Sequence, residues 1–144
     1  MKISQKAEYA LNATLDLALF APPNGAVRSA QIARRTGVPE KFLEAILLEL
    51  RKAGVVASKR GPDGGHWLAR DPSRLTVGAV LDAIDGPFEA DMKTGGRRQT
   101  PAQRALQQMW SQVTRAVRLV IDDVTIEDLR RQATNTTAVV DYCI

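Results

Sequence analysis

Lys59 and Arg60 stand directly before the run Gly61-Pro62-Asp63-Gly64-Gly65, and upstream of them Lys41 and Glu44 lie three positions apart in an aliphatic-rich stretch. These residue types suit the reading of a polyanion rather than the making of bonds. A lysine such as Lys41 reaches guanine O6 or N7 in the major groove of a duplex, and a glutamate such as Glu44 accepts from cytosine N4. Arg60 is long enough to enter a minor groove, whose negative potential favours a guanidinium, while a turn containing Gly61 and Gly64 brings backbone N–H groups close to phosphates. Arg28, Ser29 and Gln31 fall where a helix begins, a natural place for a phosphate. Catalysis has little to work with: the chain holds one histidine, one cysteine and no cluster of carboxylates that would build an acid–base, nucleophilic or metal site, so no enzyme is expected.

Such residues need rigid elements to present them. In Ser29-Ala-Gln-Ile-Ala-Arg-Arg-Thr-Gly-Val-Pro, Ala33 permits a close helix crossing, Gly37 takes the left-handed conformation of a tight turn, and Val38 plugs the space beneath. Pro39 suits the first position of a second helix, where its missing N–H costs nothing. That helix runs through Phe42, Leu43, Ile46, Leu47 and Leu50 to a stop at Gly54, with Ile32, Leu43 and Ile46 facing the core. Val55–Arg60 and His66–Arg70 then read as two strands around the glycine-rich turn. The result is a winged helix-turn-helix, mainly α with a small β-hairpin wing. Pro39, Lys41, Glu44, Lys59, Arg60, Gly61 and Gly64 form its expected DNA-binding surface, with Arg28, Ser29 and Gln31 beside them.

Charge is distributed accordingly. Residues 1–75 carry 12 Lys/Arg against 7 Asp/Glu, whereas residues 76–144 carry 8 against 9. The basic excess belongs wholly to the proposed DNA module.

At 144 residues and 44% hydrophobic composition the chain suffices for one sizeable core. No stretch approaches the roughly 20 apolar residues of a membrane span, no leader is evident, and a single cysteine suits a reducing compartment, so a cytoplasmic location is expected. Ser4 caps an amphipathic helix to Phe20, with Ala7, Leu11, Thr14, Leu15, Ala18 and Leu19 as its apolar side; Ser4, Lys6 and Tyr9 near its start are weaker DNA contacts. Thr76 caps a short helix ending at Asp85-Gly86. The organisation expected is 1–86 for DNA binding, 87–99 as a flexible connection, 100–132 as a dimerisation helix with a short following helix, and 133–144 as a tail.

Thr100-Pro-Ala-Gln is a capping box with proline at the first helical position. Leu106, Trp110, Val113, Val117, Val120 and Val124 follow at alternating spacings of four and three, a heptad seam that asks for a partner helix. A second copy of the chain is the economical source, because two-fold pairing matches a palindromic operator.

Taken together, Tyr9-Ala-Leu, Ile32-Ala-Arg-Arg-Thr-Gly-Val-Pro, Phe42-Leu-Glu-Ala-Ile-Leu, the stretch from Leu50 to Gly65, and Leu68-Ala-Arg resemble the Rrf-two family of bacterial transcription regulators. The resemblance implies a winged-helix homodimer that binds promoter DNA as a repressor or activator, a repressor being the expectation here, with Lys41 and Glu44 as recognition-helix readers and Arg60 at the minor groove. Ala45 stands where some relatives carry a polar reader. His66 stands where relatives have tyrosine, which implies a structural wing residue within reach of phosphate.

Cluster-binding relatives place three cysteines in the segment matching Pro87–Arg104, and this chain has none there. No iron–sulfur cluster or other cofactor is therefore expected. Activity would be set by a small molecule, a partner protein or a thiol, the last using Cys143. A winged-helix module that docks proteins through the same surfaces is the alternative, and the basic wing argues for DNA.

Overall fold

The computed structural model describes residues 3–89 and 98–142. Most of the predicted connection at 87–99, and Cys143, lie outside that description. Six helices and one hairpin follow in order: α1 (Gln5–Phe20), α2 (Ser29–Thr36), α3 (Glu40–Lys52), β1 (Val56–Lys59), β2 (Gly65–Leu68), a 3-10 turn (Pro72–Arg74), α4 (Val77–Asp85), α5 (Pro101–Ile121) and α6 (Ile126–Tyr142).

α1 is the hub, touched by α2, α3, α4, α6 and β2. Its buried face is Ala7, Ala10, Ala13, Thr14, Asp16 and Leu17, which shares only Ala7 and Thr14 with the side expected above. Leu11, Leu15 and Ala18 instead flank the core half-buried. The reason is steric: small alanines let neighbouring helices approach the α1 axis closely, so the larger leucines serve the edges. Ser4 caps this helix as expected, its Oγ accepting from the Ala7 N–H at 3.0 Å. The same hydroxyl donates to Asp85 at the end of α4, at 2.7 Å from Oδ1.

Asp16 is only 4% exposed because Arg35 reaches it from α2 with two hydrogen bonds, Nε to Oδ1 at 2.9 Å and Nη2 to Oδ2 at 2.8 Å. The Arg35 guanidinium also lies over the Phe20 ring, 4.4 Å from its centroid. A buried carboxylate is tolerated when it is paired and doubly hydrogen-bonded.

Ile32, Val38, Leu43, Ile46, Leu47 and Leu50 are buried as the helix-turn-helix pattern requires. Gly37 closes α2 in the left-handed conformation, φ 76°, and donates its N–H to Ala33 O. Pro39 proves to be the cap of α3 rather than its first residue, and Phe42 points outward at 59% exposure.

β1 and β2 pair antiparallel from Val56↔Leu68 to Lys59↔Gly65. Val27, from the loop before α2, adds a bridge to His66 with N–H···O bonds of 2.9 and 2.8 Å. A Cβ on Gly65 would stand 2.7 Å from Val27 O, and one on Gly64 would stand 2.3 Å from Lys59 O. Glycine at both positions is what lets the hairpin close and dock.

The C-terminal part departs from expectation in two ways, in where α5 ends and in how far α6 runs. α5 contains no buried residue, and Leu106, Met109, Leu119 and Val120 are 40–70% exposed. The helix ends at Ile121, so Val124 is not part of its seam; the Val124 carbonyl accepts from the Val77 N–H at 2.9 Å, in the joint between α4 and α6. Two aspartates at 122 and 123 follow α5 where the helix dipole disfavours acid, and Arg118 offsets this by binding Asp122 and, across to α4, Asp82. Finally α6 is long, with Ile126 fully buried and the helix resting on α1 and the 3-10 turn, so the chain after Thr134 continues as helix to Tyr142 rather than as a tail. Among the described residues no helix is long and apolar enough to cross a membrane.

Candidate nucleic-acid interface

A groove of about 750 Å³ opens between the start of α2, the outer face of α3 and the hairpin. It gathers Arg28, Ser29, Lys41, Glu44, Lys59, Arg60, Gly61, Gly64 and His66, residues singled out above from three separate parts of the chain. Gln31 and Pro39 do not line it. Gln31 is used as a cap, its Oε1 accepting from the Arg28 N–H at 3.2 Å. Of the three weaker contacts, Lys6 pairs with Glu49, Tyr9 packs against the core while its hydroxyl accepts from Gln5, and Ser4 caps α1.

The cations of the groove divide into two groups. Arg28 is engaged: its guanidinium donates to the carbonyls of Gly61 and Pro62, tying the wing turn to the start of α2. Arg51 at the end of α3 donates to Ser58 Oγ at 3.2 Å and holds the base of the wing. Lys41, Lys59 and Arg60 are exposed. Among the described residues, ion pairs go to Lys6, Arg35, Arg118, Arg130 and Arg131, and none to these three. Unpaired cations on one concave face, held by arginines that act as struts, make a preformed anion-binding surface.

His66 lies half-buried between α3 and the loop at Val27, and its Nδ1 is enclosed without a hydrogen-bond partner. Burial lowers its pKa below the ordinary histidine value; Glu44 opposes that shift and Arg51 adds to it. The neutral form is thus favoured near neutral pH, consistent with a packing role in the wing.

Six further lining residues were not foreseen as contacts: Ala45, Leu47, Leu48, Arg51, Ser58 and Gly65. The signal for three of them was present in the spacing. Lys41, Glu44/Ala45, Leu48 and Arg51 recur at three and four along one helical face.

A helix-turn-helix with its second helix outward, and a basic hairpin beside it, defines a winged-helix protein of the kind that regulates transcription. Residues 3–132 match the Rrf2 family, described as iron-dependent transcriptional regulators, and the chain belongs to that family. Over 130 residues it is 35% identical to the HTH-type transcriptional regulator IscR of Yersinia pestis, covering 90% of this chain and 79% of that one. Among solved structures it is similar to CymR, the global cysteine regulator of B. subtilis, with TM-score 0.78, 32% identity and coverage of 92% and 98% of the two chains. It is also similar to T. potens IscR, at TM-score 0.75 and 32% identity, covering 92% and 88%. The protein is accordingly a transcriptional regulator and not an enzyme.

Iron dependence in the family description raises the question of donors. The whole chain offers one cysteine and one histidine, and among the described residues no group of three His, Cys, Asp or Glu is placed to hold a metal. That donor set does not fit a cluster held by thiolates.

Proposed function

We propose that this regulator binds promoter DNA as a homodimer on a palindromic operator, acts there as a repressor, and does so without an iron–sulfur cluster. The observation that carries the reading is the convergence of unpaired Lys41, Lys59 and Arg60 with Glu44 on one groove between α3 and the wing. α3 enters the major groove, whose width of roughly 12 Å admits a helix, and the wing tip follows the backbone with Arg60 directed to the adjacent minor groove. The partly exposed seam of α5, at Leu106, Trp110, Val113, Val117 and Val120, pairs with its copy and sets the spacing of the two reading heads. An effector, small molecule or protein, adjusts that geometry.

Arg60→Ala provides the direct test. Arg60 is exposed, so thermal melting stays unchanged while affinity for an operator selected from genomic fragments falls about tenfold and the salt slope drops by about one unit. Unaltered affinity would remove the wing from the interface. Iron and acid-labile sulfide, assayed after anaerobic purification, are expected at background; stoichiometric amounts would overturn the cluster-free reading.

A further inference from the structure

Leu48 is 46% exposed and lies in the DNA-facing groove, one turn beyond Ala45 and Glu44 on α3. The cationic surface described above does not account for it. An aliphatic side chain gains nothing from phosphate oxygens, and leaving it in water on a face otherwise built of Lys41, Glu44, Arg51, Lys59 and Arg60 forgoes the benefit of burial. Ala45, also exposed, extends the same apolar spot towards the start of the helix. The floor of a major groove presents one apolar group only, the C5 methyl of thymine.

Resting on the DNA-binding reading, we propose that Ala45 and Leu48 form a methyl-reading spot that selects thymine next to the base pair addressed by Glu44. The helix geometry suits this assignment. Glu44 and Leu48, four residues apart, are displaced by about 6 Å along the helix axis, one to two of the roughly 3.4 Å steps between stacked base pairs. Glu44 accepting from a cytosine and Leu48 packing on a thymine thus address neighbouring steps of one half-site. Lys41, a turn earlier, addresses the step on the other side.

The test removes the methyl and nothing else. An operator is first selected with the full chain from a random duplex pool; each thymine of the bound half-site is then replaced in turn by deoxyuridine, which keeps every hydrogen-bonding group. At one or two positions per half-site the wild-type protein is expected to lose about fourfold in affinity for each methyl, or about fifteenfold when both half-sites are changed. Leu48→Ala is expected to bind thymine and deoxyuridine duplexes equally at those positions, with wild-type melting behaviour. The inference fails if every substitution leaves wild-type affinity unchanged, or if Leu48→Ala retains the full discrimination. Failure of the DNA-binding reading looks different: the pool then yields no enriched sequence at all, which sinks both.

Discussion

Val117→Asp is expected to turn the proposed homodimer into a monomer in sedimentation equilibrium and to lower operator affinity by at least about a hundredfold. The argument starts from α5, a 21-residue helix with a pronounced apolar stripe and no buried residue. Its main neighbour is α4, reached near its C-terminal end through Arg118 and Asp82. Trp110, Val113 and Val117 are half-buried, while Leu106 and Val120 are 46% and 61% exposed. Paired with its copy, this stripe becomes a dry seam, and a carboxylate within it has no partner. Burying an unpaired charge costs several kcal/mol, and two-fold symmetry places the lesion twice in each dimer. A single reading head then forfeits the effective concentration that linking two heads supplies, a factor of about 10² or more. Since Val117 belongs to no core cluster, helicity should be retained. A Val117→Asp protein that remains dimeric would place the interface elsewhere.

The second large effect falls on stability. Arg35→Ala leaves Asp16, 4% exposed, without either of its two guanidinium hydrogen bonds and strips the cation from the Phe20 ring. Breaking a buried pair by deleting one partner costs about 3–5 kcal/mol, reduced to about 2–3 kcal/mol here because the Arg35 side chain is 32% exposed. For a chain of this size that lowers the melting temperature by roughly 10 °C. Asp16→Asn added to Arg35→Ala should recover part of the loss, because an amide is cheaper to bury than a lone carboxylate. A melting temperature within a degree or two of wild type would show that the pair contributes nothing to the fold.

The elements legible in the sequence were those with local causes. Ser4, Thr76 and Thr100 cap their helices with the hydrogen bonds their types promise, and Gly37 ends α2 as a left-handed turn residue must. The hairpin and most of its groove were legible for the same reason: turn chemistry and charge lie next to each other along the chain. What escaped was set by distant partners. Arg28 is drawn to the wing by carbonyls more than thirty residues away, and Asp16 is buried because Arg35 is there to meet it. Lys6 is committed to Glu49 on α3.

Two departures have a different origin. The heptad count carried Val124 into the seam because spacing alone does not reveal that the helix ends at Ile121. The α6 helix outran its expectation because threonine-rich sequence favours strand or turn in isolation. Thr134 and Thr136 instead donate their hydroxyls back to the carbonyls of Arg130 and Gln132, at 2.9 and 2.8 Å, which satisfies both hydroxyls within the helix. The anchoring of Ile126 in the core supplies what propensity does not.

The central claim, that the groove between α3 and the wing grips duplex DNA, is tested most directly by the salt dependence of operator binding. Log affinity should fall linearly with log salt concentration, by about 0.9 for each phosphate neutralised, while the selected operator keeps an advantage of about 10³ or more over scrambled duplex. A flat salt profile, or equal affinity for operator and scrambled duplex at every salt concentration, would contradict it.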